Sequence, residues 1–151
     1  MDRVAFTVPG APQGKARPRF TRTGIAYTPG KTRAYEALVK PYAKQAMRGL
    51  DPSFGACTLS VVAYMPIPRS WPITKRGRAS RNEMPCIGRI DGDNILKAIG
   101  DACNAIVWRD DAQVTDARVV KRYGLEPRVE VSVVHLEAGE RGVKFIAPEA
   151  A

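Results

Sequence analysis

Histidine occurs once in the 151 residues, at His135, and cysteine three times, at Cys57, Cys86 and Cys103. With one imidazole and no C-x-x-C spacing, the four well-spaced ligands of a zinc site are missing. The cysteines read as reduced, partly buried thiols of a cytoplasmic protein, neither a disulfide framework nor a thiol nucleophile. No apolar run of the length needed to span a bilayer, about 18 residues, is present. The N-terminal MDRVAFTVPG lacks the basic-then-apolar pattern of a signal peptide. There is no internal repeat, and the length suits one domain with a core that needs no staples.

Acids are also scarce, with 15 Asp and Glu against 24 Lys and Arg, a net charge of +9 and a pI near 9.8. That balance favours a polyanionic partner: DNA, RNA or an anionic membrane. The acids present are unevenly spread. Six of the fifteen (Asp91, Asp93, Asp101, Asp110, Asp111 and Asp116) fall between positions 91 and 116. An acidic island in a basic chain suits a metal-dependent enzyme acting on nucleic acid, where the basic surface holds the polyanion and the acids hold the cation.

Period-two alternation predicts strands at Arg3 to Val8 and Cys57 to Tyr64. Between them, Gln13 to Arg22 reads as a loop broken by Gly14 and Pro18. Its Lys15, Arg17, Arg19 and Arg22 are suited to phosphate oxygens. A helix is expected over roughly 31 to 48, with Tyr35, Leu38, Val39, Tyr42, Ala46 and Met47 on one face and Pro41 kinking or dividing it. Residues 66–90 carry four prolines, at 66, 68, 72 and 85. They also carry Arg69, Lys75, Arg76, Arg78, Arg81 and Arg89, and read as a basic mobile loop beside the acidic stretch, or as a disordered connector. Trp71 within it is placed to pack on the body or to stack on a base.

Asp93 to about Asn104 forms the next helix, with Ile95, Leu96, Ile99, Ala102, Cys103 and Ile106 as its apolar face and Asp93, Lys97 and Asp101 recurring on the other side. Thr115 to Tyr123 and Arg128 to Leu136 are expected to pair as an antiparallel hairpin across Gly124-Leu125-Glu126-Pro127. The fold class is therefore α+β: one small domain over 1–137, with two main helices against a mixed sheet, followed by a loose tail at 138–151.

Asp91 and Asp93 are two apart, so on an extended approach both side chains point the same way. The helix from 93 to 104 climbs about 17 Å at ~1.5 Å per residue. The stretch 105 to 111 reaches about 23 Å at ~3.3 Å per residue, enough to bring Asp111 back to the helix start. Three such carboxylates would repel one another without a cation, and an oxygen-only set without histidine suits Mg²⁺, with Mn²⁺ as an alternative. Lys97, one turn beyond Asp93, is placed to neutralise charge on a phosphate under attack. The plainer readings are a helix cap at Asp93 with Lys97 as its i,i+4 partner, and a turn at Asp110-Asp111.

Asp91, Asp93, Asn94 and Lys97, then Asp101, then Trp108, Asp110, Asp111, Gln113 and Val114 with Lys121 following, resemble the RusA family of Holliday-junction resolvases. The resemblance is dense over 89 to 121. It implies a homodimeric, Mg²⁺-dependent endonuclease of DNA recombination and repair, bacterial or prophage-encoded, which cuts four-way junctions by paired nicks. By position, Asp91, Asp93 and Asp111 become the catalytic metal-binding acids and Lys97 the basic helper. The interval to the Asp-Asp pair leaves Asp110 as an alternative to Asp111. Lys15, Arg17, Arg19, Arg69, Lys75, Arg76, Arg78 and Arg89 would hold the DNA backbone. Two rivals differ in class: a non-catalytic DNA-binding protein whose acidic cluster is structural, and a metal-dependent enzyme acting on nucleotides or RNA.

Overall fold

Alternation sets the first strand, β1 (Arg3–Pro9), in which Val4 and Val8 are buried, Phe6 on the same face packs against the core, and Ala5 and Thr7 face outward. The computed structural model describes residues 3–27, 29–88 and 90–136, so the tail at 138–151 lies outside the described residues. The basic segment after β1 closes into a small hairpin, β2 (Arg19–Phe20) with β3 (Ala26–Tyr27). Helix α1 (Gly30–Met47) follows, burying Thr32, Tyr35, Val39, Ala43 and Met47. Pro41 neither stops nor divides it. Both Pro41 and Ala37, whose carbonyl would have accepted the missing N–H, are exposed, so water can take over that bond.

Strand β4 (Cys57–Pro66) buries Cys57, Leu59, Val61 and Ala63 at strict period two. The stretch read as loop throughout contains a short helix, α2 (Ile73–Ser80). Pro72 supplies a φ of −55° at its start, and Ala79 is its one buried residue. Trp71 packs edge-on against Tyr123, ring centroids 5.3 Å apart, with Lys75 Nζ 3.9 Å from its ring centroid. Helix α3 (Gly92–Cys103) buries Ile95, Ala98, Ile99, Ala102 and Cys103. It is followed by β5 (Val114–Gly124) and β6 (Arg128–His135).

The sheet order is β1-β6-β4-β5, with β4 parallel to β5 and antiparallel to β6. The mixed sheet with α1 and α3 is the expected α+β arrangement, but the expected hairpin is not formed. Strands β5 and β6 lie on opposite sides of β4. Pro66 pairs with Gly124 on one side and Tyr64 with Arg128 on the other, so residues 124–127 cross over the end of β4. They bridge two strand spacings, about 9.6 Å, where a hairpin bridges one. At the crossing a Cβ on Gly124 would stand 3.0 Å from the Tyr64 Cβ, so glycine lets the chain pass close over the ring. Strand β4 wins the centre because its outward side is uncharged, with Thr58, Ser60, Val62 and Tyr64. Strand β5 carries Asp116, Arg118 and Arg122 outward, a pattern suited to an edge.

One core joins α1, α3 and the inner sheet face, including Val107 and Trp108 from the segment after α3. Tyr35 lies in it, and burial pushes its phenol up to about 12 from an ordinary 10, partly opposed by the Gln13 backbone. A raised folded-state pKa means that the phenol stabilises the fold below pH 10, and this contribution is lost as pH rises toward 12. Urea melts at pH 10 to 12 should therefore fall more steeply for the wild type than for Tyr35→Phe, by at most about 1.4 kcal/mol per pH unit. Equal slopes would show that Tyr35 does not titrate as a buried phenol.

Candidate active site: an acidic cleft between α3 and β5

Gly92 makes the site's first contact possible. A Cβ there would lie 3.0 Å from Val119 Cγ1, so glycine lets the start of α3 lie against β5. Asp91 is the N-cap, with φ −69° and ψ 139°, and its carbonyl accepts from Asn94 and Ile95 N–H at 3.1 and 3.2 Å. Its side chain makes no capping hydrogen bond. Asp93 stands in the first helical turn. Because Gly92 is already helical, the extended geometry expected for Asp91 and Asp93 does not occur, and positions i and i+2 diverge around a helix.

After α3 the chain descends into the core and comes back out. Val107 and Trp108 are fully buried, and a short stretch of backbone pairs with residue 53: Ser53 N–H donates to Val107 O at 3.0 Å and Arg109 N–H to Ser53 O at 3.2 Å. A single 3₁₀ turn, Asp111–Gln113, then reverses the chain into β5. Asp110 caps this turn, its Oδ1 accepting from Ala112 N–H at 2.8 Å. The Gln113 side chain closes the other half of the box, accepting from Arg109 and Asp110 N–H at 2.9 Å each. Its Nε2 donates to Ser53 O at 2.9 Å and to Gly55 O at 2.7 Å, using the whole amide. Asp111 points elsewhere. Its Oδ1 accepts from the Trp108 indole N–H at 2.9 Å.

The result is a cleft of about 240 Å³ whose polar lining is Asp93, Lys97, Asp101, Trp108 and Asp111. Leu59, Leu96, Val114 and Ala117 form its apolar walls. The chain return that the length permits thus occurs, and it brings Asp111, not Asp110, into the cleft with Asp93 and Lys97. Asp91 is exposed and does not line it. Asp101 was the unassigned member. Its recurrence with Asp93 and Lys97 at four-residue steps is the signal that points to it. Lys97 Nζ stands 4.0 Å from Asp101 Oδ1, so its i,i+4 partner is Asp101 rather than Asp93. A larger groove of about 630 Å³, between β1 and α1, is lined by no acid.

Among the described residues no three His, Cys, Asp or Glu side chains are gathered into a group able to hold a metal ion. The donor set nonetheless fits Mg²⁺, which takes one or two carboxylates and completes its shell with water and substrate phosphate. The thiols are unsuited to nucleophilic work. Burial pushes the Cys57 and Cys86 thiols up, and burial with the nearby Asp111 and Cys57 drives Cys103 up to about 12.

The basic residues sort by position. Arg17, Arg19 and Arg22 are exposed on and beside the β2–β3 hairpin. Lys15 is turned inward, hydrogen-bonded to Asp101 and 3.5 Å from Glu36 Oε1. Arg69 and Arg76 line a separate groove of about 510 Å³ beside α2. Lys75 covers Trp71, Arg78 lies in the last turn of α2, and Arg89 lies outside the described residues. Lys121 reaches back from β5 to donate to Gly88 O at 3.4 Å. Among the described residues no helix is long and apolar enough to cross a membrane.

A family model described as "Endodeoxyribonuclease RusA" matches residues 9–134. The chain belongs to the RusA endodeoxyribonuclease family. The match takes in the whole cleft, its Lys97 and the basic hairpin. Among curated proteins, the Bacillus subtilis (strain 168) protein named "Uncharacterized protein YqaN" is 34% identical over 143 residues, covering 91% of this chain and all of that protein. In this RusA-family chain the motif residues divide their work: Gln113 and Asp110 build the turn, and Trp108 steadies the acid that the turn presents.

Gln113→Ala should destabilise the chain by about 1–3 kcal/mol, because two N–H donors and two carbonyls lose a partner together. The urea midpoint should fall with an unchanged m-value. A midpoint equal to the wild type would mean that water replaces the Gln113 side chain at no cost.

Proposed function

We propose that this chain is a Mg²⁺-dependent endonuclease that resolves four-way DNA junctions by hydrolysing two phosphodiesters of opposite strands, as a homodimer in the bacterial or phage-infected cytoplasm. The observation that carries this reading is the meeting of Asp93, Asp111 and Lys97 in one cleft of a RusA-family chain. Asp93 and Asp111 would hold the ion, with water and a substrate phosphate completing its shell and Mn²⁺ able to substitute, while Asp91 would stand outside the cleft at the helix N-cap. Bound there, the ion supplies Lewis-acid activation of water and draws charge from the phosphodiester.

The chain's own residues do the remainder. The Trp108 indole restrains Asp111, so the carboxylate is oriented before the cation arrives. Lys97, with its side chain about two-thirds exposed at 64%, is free to lean onto a phosphate seated in the cleft and stabilise the charge that builds up there. Arg17, Arg19, Arg69, Lys75, Arg76, Arg78 and Arg89 supply sequence-independent phosphate contacts. Two symmetric nicks on a two-fold junction require two cleavage sites related by a two-fold axis, which is the reason for a dimer.

A labelled synthetic four-way junction incubated with the protein and Mg²⁺ tests this. The wild type should release paired nicked products, EDTA should stop the reaction, and Asp93→Asn or Asp111→Asn should slow it by roughly a hundredfold or more. Binding without nicking by the wild type, or equal cleavage by both variants, would favour the DNA-binding protein with a structural acidic cluster. Preferential cleavage of RNA would move the substrate class.

A further inference from the structure

Residues 13–16 lie as a strap across α3 before the chain enters the basic hairpin. A Cβ on Gly14 would meet Ile90 Cγ2 at 2.8 Å and Asn94 Cβ at 3.2 Å, so the strap has no clearance above the first turn of α3. Lys15 N–H donates to Asn94 O at 2.9 Å, and Ala16 N–H donates to Thr32 Oγ1 at 3.1 Å, where Thr32 is buried in α1. The Lys15 ammonium then reaches two helices at once, hydrogen-bonded to Asp101 of α3 and 3.5 Å from Glu36 Oε1 of α1. All three side chains are largely enclosed, with relative exposures of 21%, 22% and 17%.

We infer that Lys15 and Asp101 are positioning residues: their ion pair ties the strap to α3 and so fixes the β2–β3 hairpin, with Arg17, Arg19 and Arg22, relative to the acidic cleft. Lys15 is thereby withdrawn from the phosphate contacts that its neighbours make. Releasing it to DNA would leave two largely enclosed carboxylates without their shared cation, whereas Arg17, Arg19 and Arg22 are exposed and bind without such a loss. Asp101 is occupied on both oxygens, Oδ2 by Lys15 and Oδ1 facing Lys97 at 4.0 Å, which sets it apart from Asp93 and Asp111 in the same cleft. This inference deepens the proposed function by naming what holds its DNA-contacting hairpin against its acids.

Hydrogen exchange of the full chain and junction binding in EDTA, measured across a salt range, test it together. Lys15→Met and Asp101→Asn should each raise exchange at residues 17–27 without DNA, while Lys15→Arg keeps protection near the wild type. In binding, Lys15→Met should reduce the slope of log affinity against log salt by more than the roughly 0.9 expected for one lost phosphate contact, since the hairpin arginines disengage with it. The Lys15→Met/Asp101→Asn double variant should bind no worse than Lys15→Met. Unchanged exchange at 17–27 in both single variants would overturn the tie, as would additive binding losses with a slope change near 0.9. The exchange readout needs neither DNA nor cleavage, so it decides the tie whether or not a junction is the substrate. If one single variant does not fold, the other breaks the same pair from its opposite side.

Discussion

The site depends on one side chain that belongs to two environments. Trp108 is fully buried in the core, yet its indole N–H donates to Asp111 on the surface. A buried indole gains from packing only if its N–H finds a partner, and here the partner is an acid of the cleft. Core packing and site geometry are thereby linked: the same burial that stabilises the fold points a carboxylate. The neighbouring turn is over-determined to match, with Gln113 using its whole amide to join the turn's backbone to residues 53 and 55. Asp110 caps and Asp111 presents, so two adjacent residues of one type do different work.

On this frame the charge distribution makes physical sense. A chain of net charge +9 concentrates a polyanion at its surface, and a cleft of like-charged acids admits that polyanion only with a cation present. Asp101 is the exception within the cleft because the protein supplies its counter-charge internally through Lys15. The raised Lys15 pKa has the same origin: hydrogen bonding to Asp101 outweighs burial, and Glu36 adds to the effect. On the proposed reading, what remains to attract an external ion is the pair Asp93 and Asp111, with Asp91 exposed at the helix N-cap.

Much of the fold was legible in the sequence because it follows from periodicity. Val4 and Val8, Cys57 to Ala63, and Val129 to Val133 repeat at two, while Ile95, Ile99 and Ala102 repeat at the spacing of a helix; each set is buried. Chain length permitted the return of Asp111 to α3 without requiring it. Three features were not legible in this way. The separation of β5 from β6 depends on which strand tolerates burial of its neighbours on both edges, a comparison among strands that no local pattern contains. Helix α2 has one buried residue, so it left no apolar stripe to read. Lys15 was assigned to DNA because its neighbours are basic. Its inward turn is set by Asp101 and Glu36, 86 residues and 21 residues along the chain.

The central claim is that Asp93 and Asp111, brought together by Gly92 and Trp108, form the cation site of this nuclease-family fold. Mn²⁺ titration of the DNA-free protein, followed by electron paramagnetic resonance of the free ion, tests it without reference to any substrate. Asp93→Asn and Asp111→Asn should each weaken Mn²⁺ binding by about tenfold or more, while Asp110→Asn leaves it near the wild type. Equal Mn²⁺ affinity in the wild type, Asp93→Asn and Asp111→Asn would contradict the account.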